Sequence, residues 1–260
     1  MKGGMIVLEV FSVPIASFKQ DRFIRVYLPQ SYHKETKRYP VLYMHDGKNV
    51  FRDQDAAGGT SLELESYLEQ NKLDVIVVGI DQNCEERINE YCPWANGDYS
   101  KRILGHASSA GGKGALYIDF IVHELKPLID NKYRTLKDCT AMAGISLGGL
   151  ISTYAACRYP YIFKNITALS SAFFRNQEEI ERLLQDSDLS AIERFYLDCG
   201  TKEAGVDDRI SKEFLVSNLA VYEILKEKVP HAQFKVINDA EHSYVFFKER
   251  VPQLFSFLQT

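Results

Sequence analysis

Short apolar runs rich in β-branched and aromatic residues alternate along the chain with longer stretches of helical spacing. That alternation predicts repeated strand-helix units around a mostly parallel sheet, because a two-residue period marks strands and a 3.6-residue period marks helices. Strands are expected at residues 7–13, 23–28, 41–44, 75–80, 140–143, 166–170, 195–199 and 234–237. Helices are expected at 62–70, 115–132, 147–159, 178–185, 211–228 and 244–258. The first two strands have no helix between them and should form an antiparallel edge. Pro160 should end the third helix, and Pro127 should kink the second.

Length and composition narrow the class. A chain of 260 residues, 45% hydrophobic and 12% aromatic, can bury a large core. With no linker, repeat or low-complexity tract in view, one α/β domain is expected, with about eight strands. A formal net charge of -4 without a Lys- or Arg-rich block argues against nucleic acid or an anionic membrane as partner, and favours a small molecule. The start, MKGGMIVLEVFSVP, is interrupted by Glu9 and Ser12 and lacks the apolar core of a secretory signal. Five scattered cysteines, Cys84, Cys92, Cys139, Cys157 and Cys199, have no C-x-x-C pair, which argues against a disulfide framework or a zinc site. Reduced thiols in a cytoplasmic protein without a metal or cofactor are the expectation.

One connection is anomalous. Residues 81–114 follow the fourth strand and are far longer than an ordinary loop, so a long loop or lid over a ligand site at the carboxyl end of the sheet is expected.

The candidate chemistry centres on AMAGISLGGL, residues 141–150. GISLG is a G-x-S-x-G match between an expected strand and an expected helix, the context of a nucleophile elbow. Gly144 and Gly148 should clear space for a sharp turn that projects Ser146, and Gly149 should let the helix approach the neighbouring strand. A serine hydroxyl needs a base. Of the six histidines, His231 falls at the wrong end of the sheet and His123 lies within a helix. His242, just after the last strand, lies at the end where the nucleophile would be. His45 and His106 are assigned to the site wall.

A carboxylate between Ser146 and His242 in sequence should orient the imidazole. Asp198, inside a strand, should point into the flank of the sheet. The loop after the seventh strand offers Glu203, Asp207 and Asp208. Glu203, first past the strand end, is favoured on loop length, and the other two stay open. Two N–H donors are needed for an oxyanion. Leu147 follows the nucleophile, and Lys48 follows the Asp-Gly turn in YMHDGKNVF.

With these residues placed, the chain resembles the "Putative esterase" branch of the α/β-hydrolase fold. That branch includes esterase D, siderophore esterases, bacterial feruloyl esterases and the antigen 85 mycolyltransferases. The likeness runs over nearly the whole chain through YPVLYMHDGKNVF, FIVHELKPLIDNKYRT, AGISLGGL, YLDCGTKE and AEHSYVFF. It implies an oxyanion hole at Lys48 and Leu147, and aligns the acid with Glu203. It also implies that residues 81–114 set substrate choice, with Arg87, Tyr91, Trp94, Tyr99 and His106 as wall candidates beside Phe173 and Phe174. Nothing resembles a glutathione-site signature. The expected activity is serine ester hydrolysis of a small molecule. An acyltransferase with the same triad and a non-catalytic scaffold are the alternatives.

Overall fold

The computed structural model describes residues 8–258. Its sheet has eight strands: β1 Leu8–Ile15, β2 Gln20–Tyr27, β3 Tyr39–His45, β4 Ile76–Ile80, β5 Thr135–Ile145, β6 Asn165–Leu169, β7 Arg194–Lys202 and β8 Ala232–Glu241. They lie in the order β1-β2-β4-β3-β5-β6-β7-β8. β1 and β2 pair antiparallel with each other, β2 pairs antiparallel with β4, and every later pairing is parallel. The expected antiparallel edge and mostly parallel sheet are therefore present. Val7, where the first strand was expected to begin, lies outside the described residues.

Side chains that alternate along each strand face two separate apolar layers. Val41 and Tyr43 of β3 join one core with Ile76, Val78, Met142, Ile166 and Phe195, while Leu42 and Met44 join the other with Val77, Ala141, Ala143 and Leu169. Burial on both faces is why β3 and β4 read as near-continuous apolar runs.

The helices are α1 Leu64–Asn71, α2 Arg87–Tyr91, α3 Asp98–Leu104, α4 Gly114–Phe120, α5 Lys126–Lys132, α6 Leu147–Arg158, α7 Gln177–Asp186, α8 Asp208–Lys228, α9 Tyr244–Lys248 and α10 Val251–Leu254. Two expected helices are divided. Between α4 and α5 the chain takes a π turn, Ile121–Leu125, in which the Lys126 N–H donates to the Ile121 carbonyl. Pro127 follows at the second position of α5. It has no N–H to donate, and its ring would clash with the carbonyl four residues back, so widening that turn relieves both problems. The expected final helix is broken between α9 and α10, where Pro252 occupies the second position of the new helix for the same reason.

Residues 81–114 are structured by α2 and α3 and tied to the sheet. Arg22 of β2 grips Glu90 of α2 with two 2.8 Å hydrogen bonds, both side chains being buried. Among the described residues no helix is long and apolar enough to cross a membrane.

Candidate active site

β5 ends at Ile145 and α6 begins at Leu147, leaving Ser146 alone to make the turn with φ 60° and ψ -120°. This is a sparsely populated conformation for a residue with a side chain, and surrounding structure must hold it. The Ser146 N–H donates to Leu169 O at 3.0 Å, and Ser146 O accepts from Ala172 N at 3.0 Å, so the end of β6 brackets the turn.

Steric room comes from particular glycines. A Cβ on Gly144 would sit 2.2 Å from the Gly148 backbone, and one on Gly149 would sit 2.1 Å from Ser171 Oγ. A Cβ on Gly148 would meet His45 Cβ at 3.4 Å, an ordinary contact. Gly148 is thus the backbone that Gly144 must clear, and it does not itself need to lack a side chain.

His242 follows β8 and Glu203 follows β7, and the two meet with His242 Nδ1 2.6 Å from Glu203 Oε2. The carboxylate is buried and also accepts from Ser170 Oγ and from the Gly200 N–H, each at 2.5 Å. Burial pushes the Glu203 carboxyl up, but the hydrogen bonds and charge of His242, with those of Ser170 and Gly200, outweigh it and hold the group below its ordinary value. Gly200 is needed here for approach, since a Cβ would fall 2.8 Å from Glu203 Oε1 and 2.2 Å from Ala240 O. The rings of Phe214 and Phe247 stand 5.4 and 5.2 Å from the imidazole and fix its plane.

Behind this pair lies a layer the sequence did not reveal. Arg250 donates from Nη1 to Ser170 Oγ at 2.7 Å and to Asp198 Oδ1 at 2.9 Å, joining α10's entrance to β7 and to the support of Glu203. Asp198 is fully buried, in keeping with its expected place within the sheet. Asp207 caps α8 by accepting from the Ile210 N–H, and Asp208 is the first residue of that helix. Both acids have helix-start positions.

The turn after β3 is equally built. Asp46 has φ 58°, and Gly47–Asn49 form a 3-10 turn. The first N–H groups of a helix have no partner within it, so Lys48 and Leu147 each carry such a group at the carboxyl end of the sheet. Arg87 holds the Asp46 carboxylate through two bonds, at 2.7 and 2.8 Å, and the Tyr91 hydroxyl accepts from the Asp46 N–H at 3.1 Å. His45 sits beneath, its Nδ1 paired with the Tyr117 hydroxyl at 2.9 Å, and it supports the turn from below.

A cleft of about 490 Å³ opens here, lined by Ser146, Leu147, Glu203 and His242 together with apolar groups from α3 and α8. Arg87, Phe174 and Arg175 also line it. Tyr91 and Phe173 are fully buried and have no surface to offer a ligand. Trp94 packs edge-on against Tyr154, Tyr99 bonds Glu213, and His106 is exposed with Nδ1 against Leu104 O. None of these five lines the cleft: Tyr91 and Phe173 are enclosed in the core, Trp94 and Tyr99 pack against neighbouring helices, and His106 faces away from it. The apolar wall comes instead from Ile88, Ile103 and Leu104 of the same segment. Arg175 and the Ser170–Arg250 layer carry no motif. Their positions just past a parallel strand, or against one, were the only available signal. Among the described residues no cluster of three or more His, Cys, Asp or Glu could hold a metal ion.

Comparison with known proteins agrees with this architecture. YbbA of Bacillus subtilis, an uncharacterised protein, is 30% identical over 212 residues, covering 80% of this chain and 79% of that one. A siderophore hydrolase, EstA of Aspergillus nidulans, superposes with a TM-score of 0.77 at 17% identity, covering all of this chain and 98% of that one. An IroE-like serine hydrolase from Shewanella oneidensis gives 0.76 at 20% identity, covering 96% and 78% of the two chains. The family model described as "Putative esterase" matches residues 15–258. The chain belongs to that family, whose members are hydrolases acting on esters.

Proposed function

We propose that the protein is a serine esterase that cleaves a small-molecule carboxylic ester through an acyl-enzyme on Ser146. The observation that carries this reading is the 2.6 Å contact between His242 and a buried, lowered-pKa Glu203 on the wall of the cleft that Ser146 also lines. Glu203 keeps the proton of His242 on Nδ1, leaving Nε2 free to act as base. Ser146 Oγ attacks the ester carbon as its proton passes to His242. The tetrahedral oxyanion takes hydrogen bonds from the backbone N–H groups of Lys48 and Leu147.

Collapse expels the alcohol, which leaves with the proton from His242. Water, activated by the same imidazole, then attacks the acyl-enzyme, releases the acid and restores Ser146. The comparisons lend support, since the Shewanella neighbour is a serine hydrolase and the Aspergillus neighbour a siderophore hydrolase. Arg87 acts mainly by holding the Asp46 turn, and Phe174 contacts substrate. The odd, scattered cysteines favour a cytoplasmic setting.

The test is hydrolysis of 4-nitrophenyl esters from acetate to octanoate. Ser146→Ala and His242→Ala should each lower kcat/KM by about 10⁴-fold or more, with near-native thermal unfolding. A Ser146→Ala protein as active as the native one would overturn the assignment.

A further inference from the structure

The charges of the cleft do not balance, and the surplus lies on Arg175. Glu203 is committed to His242, and the Arg87 guanidinium is neutralised by both oxygens of Asp46. Arg175 also lines the cleft, yet among the described residues no carboxylate pairs with it. Its guanidinium carbon lies 5.4 Å from the centre of the Phe174 ring, a contact that orients the fork without neutralising it. Burial lowers its pKa from the ordinary arginine value, and the Cys92 thiol offsets this only in part. A partly desolvated cation left without an acid carries a cost that a bound anion would relieve.

The backbone that carries Arg175 is tied by hydrogen bonds to the nucleophile's turn. The Ala172 N–H is bonded to Ser146 O, and the Arg175 N–H in turn donates to Ala172 O at 3.1 Å. Buried Asn176 then pins the Arg175 carbonyl at 2.9 Å and the carbonyls of Trp94 and Ala95 at 3.0 and 3.1 Å. Apart from Ser146, Glu203, His242 and the Asp46-paired Arg87, the remaining wall, including Ile103, Leu104, Ile210 and Phe214, is apolar. An arginine anchored by its backbone beside the nucleophile, in a largely apolar cleft, favours a ligand with an apolar body and one negative group.

We propose that Arg175 forms an anion subsite, and that the preferred ester carries a carboxylate, separated from the scissile bond by an apolar spacer, that pairs with its guanidinium. This rests on the serine esterase reading for the position of the scissile bond. The binding arm of the test below does not depend on turnover.

The probes are the mono-4-nitrophenyl half-esters of adipic, suberic and sebacic acids, each paired with the uncharged 4-nitrophenyl alkanoate of equal chain length. At least one half-ester should be preferred over its neutral partner. In Arg175→Met that preference, taken as the ratio of the two kcat/KM values, should fall about 10- to 100-fold, and Arg175→Lys should restore part of it. Using a ratio cancels any general loss from a disturbed fold. Calorimetric binding of the same half-esters to Ser146→Ala, with and without Arg175→Met, should show the same loss in affinity for the charged probe alone. Equal ratios in native and Arg175→Met protein, or equal affinities in the binding arm, overturn the subsite. Arg175-dependent binding without any Ser146-dependent hydrolysis would uphold the subsite and overturn the esterase reading instead.

Discussion

His45 shows how one residue can matter without touching substrate. It is fully enclosed under the Asp46 turn, and its Nε2 has no hydrogen-bond partner among the described residues. Burial, with the nearby charge of Arg87, lowers its pKa from 6.5 to about 3. Between those values the unfolded chain binds a proton at this position and the native protein does not. Stability therefore rises with pH across that window, and is lost as pH falls below about 6.5. The slope from this one group is about 1.4 kcal/mol per pH unit. Replacing it, as in His45→Gln, should flatten the dependence of urea-unfolding free energy on pH between 4 and 6 by about that amount. Parallel slopes in the two proteins would contradict a neutral buried imidazole. At this scale Ser146 and His242 could be singled out from strand ends and chain order, while those left Glu203, Asp207 and Asp208 open and only loop length and the family resemblance favoured Glu203. Ser170, Arg250 and Arg175 could not be, because a lone polar residue next to an apolar run looks the same in sequence whether it faces solvent or a buried carboxylate.

Among the elements, the elbow joining β5 to α6 depends on close backbone approach, and its glycines are not equivalent. Gly144→Ala would force a Cβ to 2.2 Å from the Gly148 backbone and should destabilise by about 2 kcal/mol or more, while Gly149→Ala meets the Ser171 hydroxyl, which can rotate, and should cost less, about 1 kcal/mol. Gly148→Ala meets only ordinary contacts within a helix and should be neutral or stabilise slightly, by up to about 1 kcal/mol. Equilibrium denaturation of the three variants would show this ranking, and equal losses at all three would contradict it. The G-x-S-x-G pattern points to the turn but not to which glycine bears the contact, because that depends on what packs across from it. The helix breaks were half visible. Pro127 announced a disturbance, while its resolution as a π turn depends on how the helix packs on both sides. Pro252 was passed over because the apolar spacing continues through it.

For the whole molecule, the proposed mechanism rests on segments far apart in sequence, near residues 46–48, 146, 203 and 242, meeting at one end of a parallel sheet. That convergence could be anticipated because successive parallel strands deliver their following loops to the same end. The wall of the cleft could not, since residues 81–114 fold back through the buried Arg22–Glu90 pair and present aliphatic rather than aromatic groups. The most direct test of the convergence is covalent capture with an alkyl fluorophosphonate, followed by peptide mass mapping. One adduct per chain is expected, on Ser146, with the labelling rate reduced about 10³-fold or more in His242→Gln. An adduct on another residue, or labelling of Ser146 at the native rate in His242→Gln, would contradict the assembly of nucleophile and base described here.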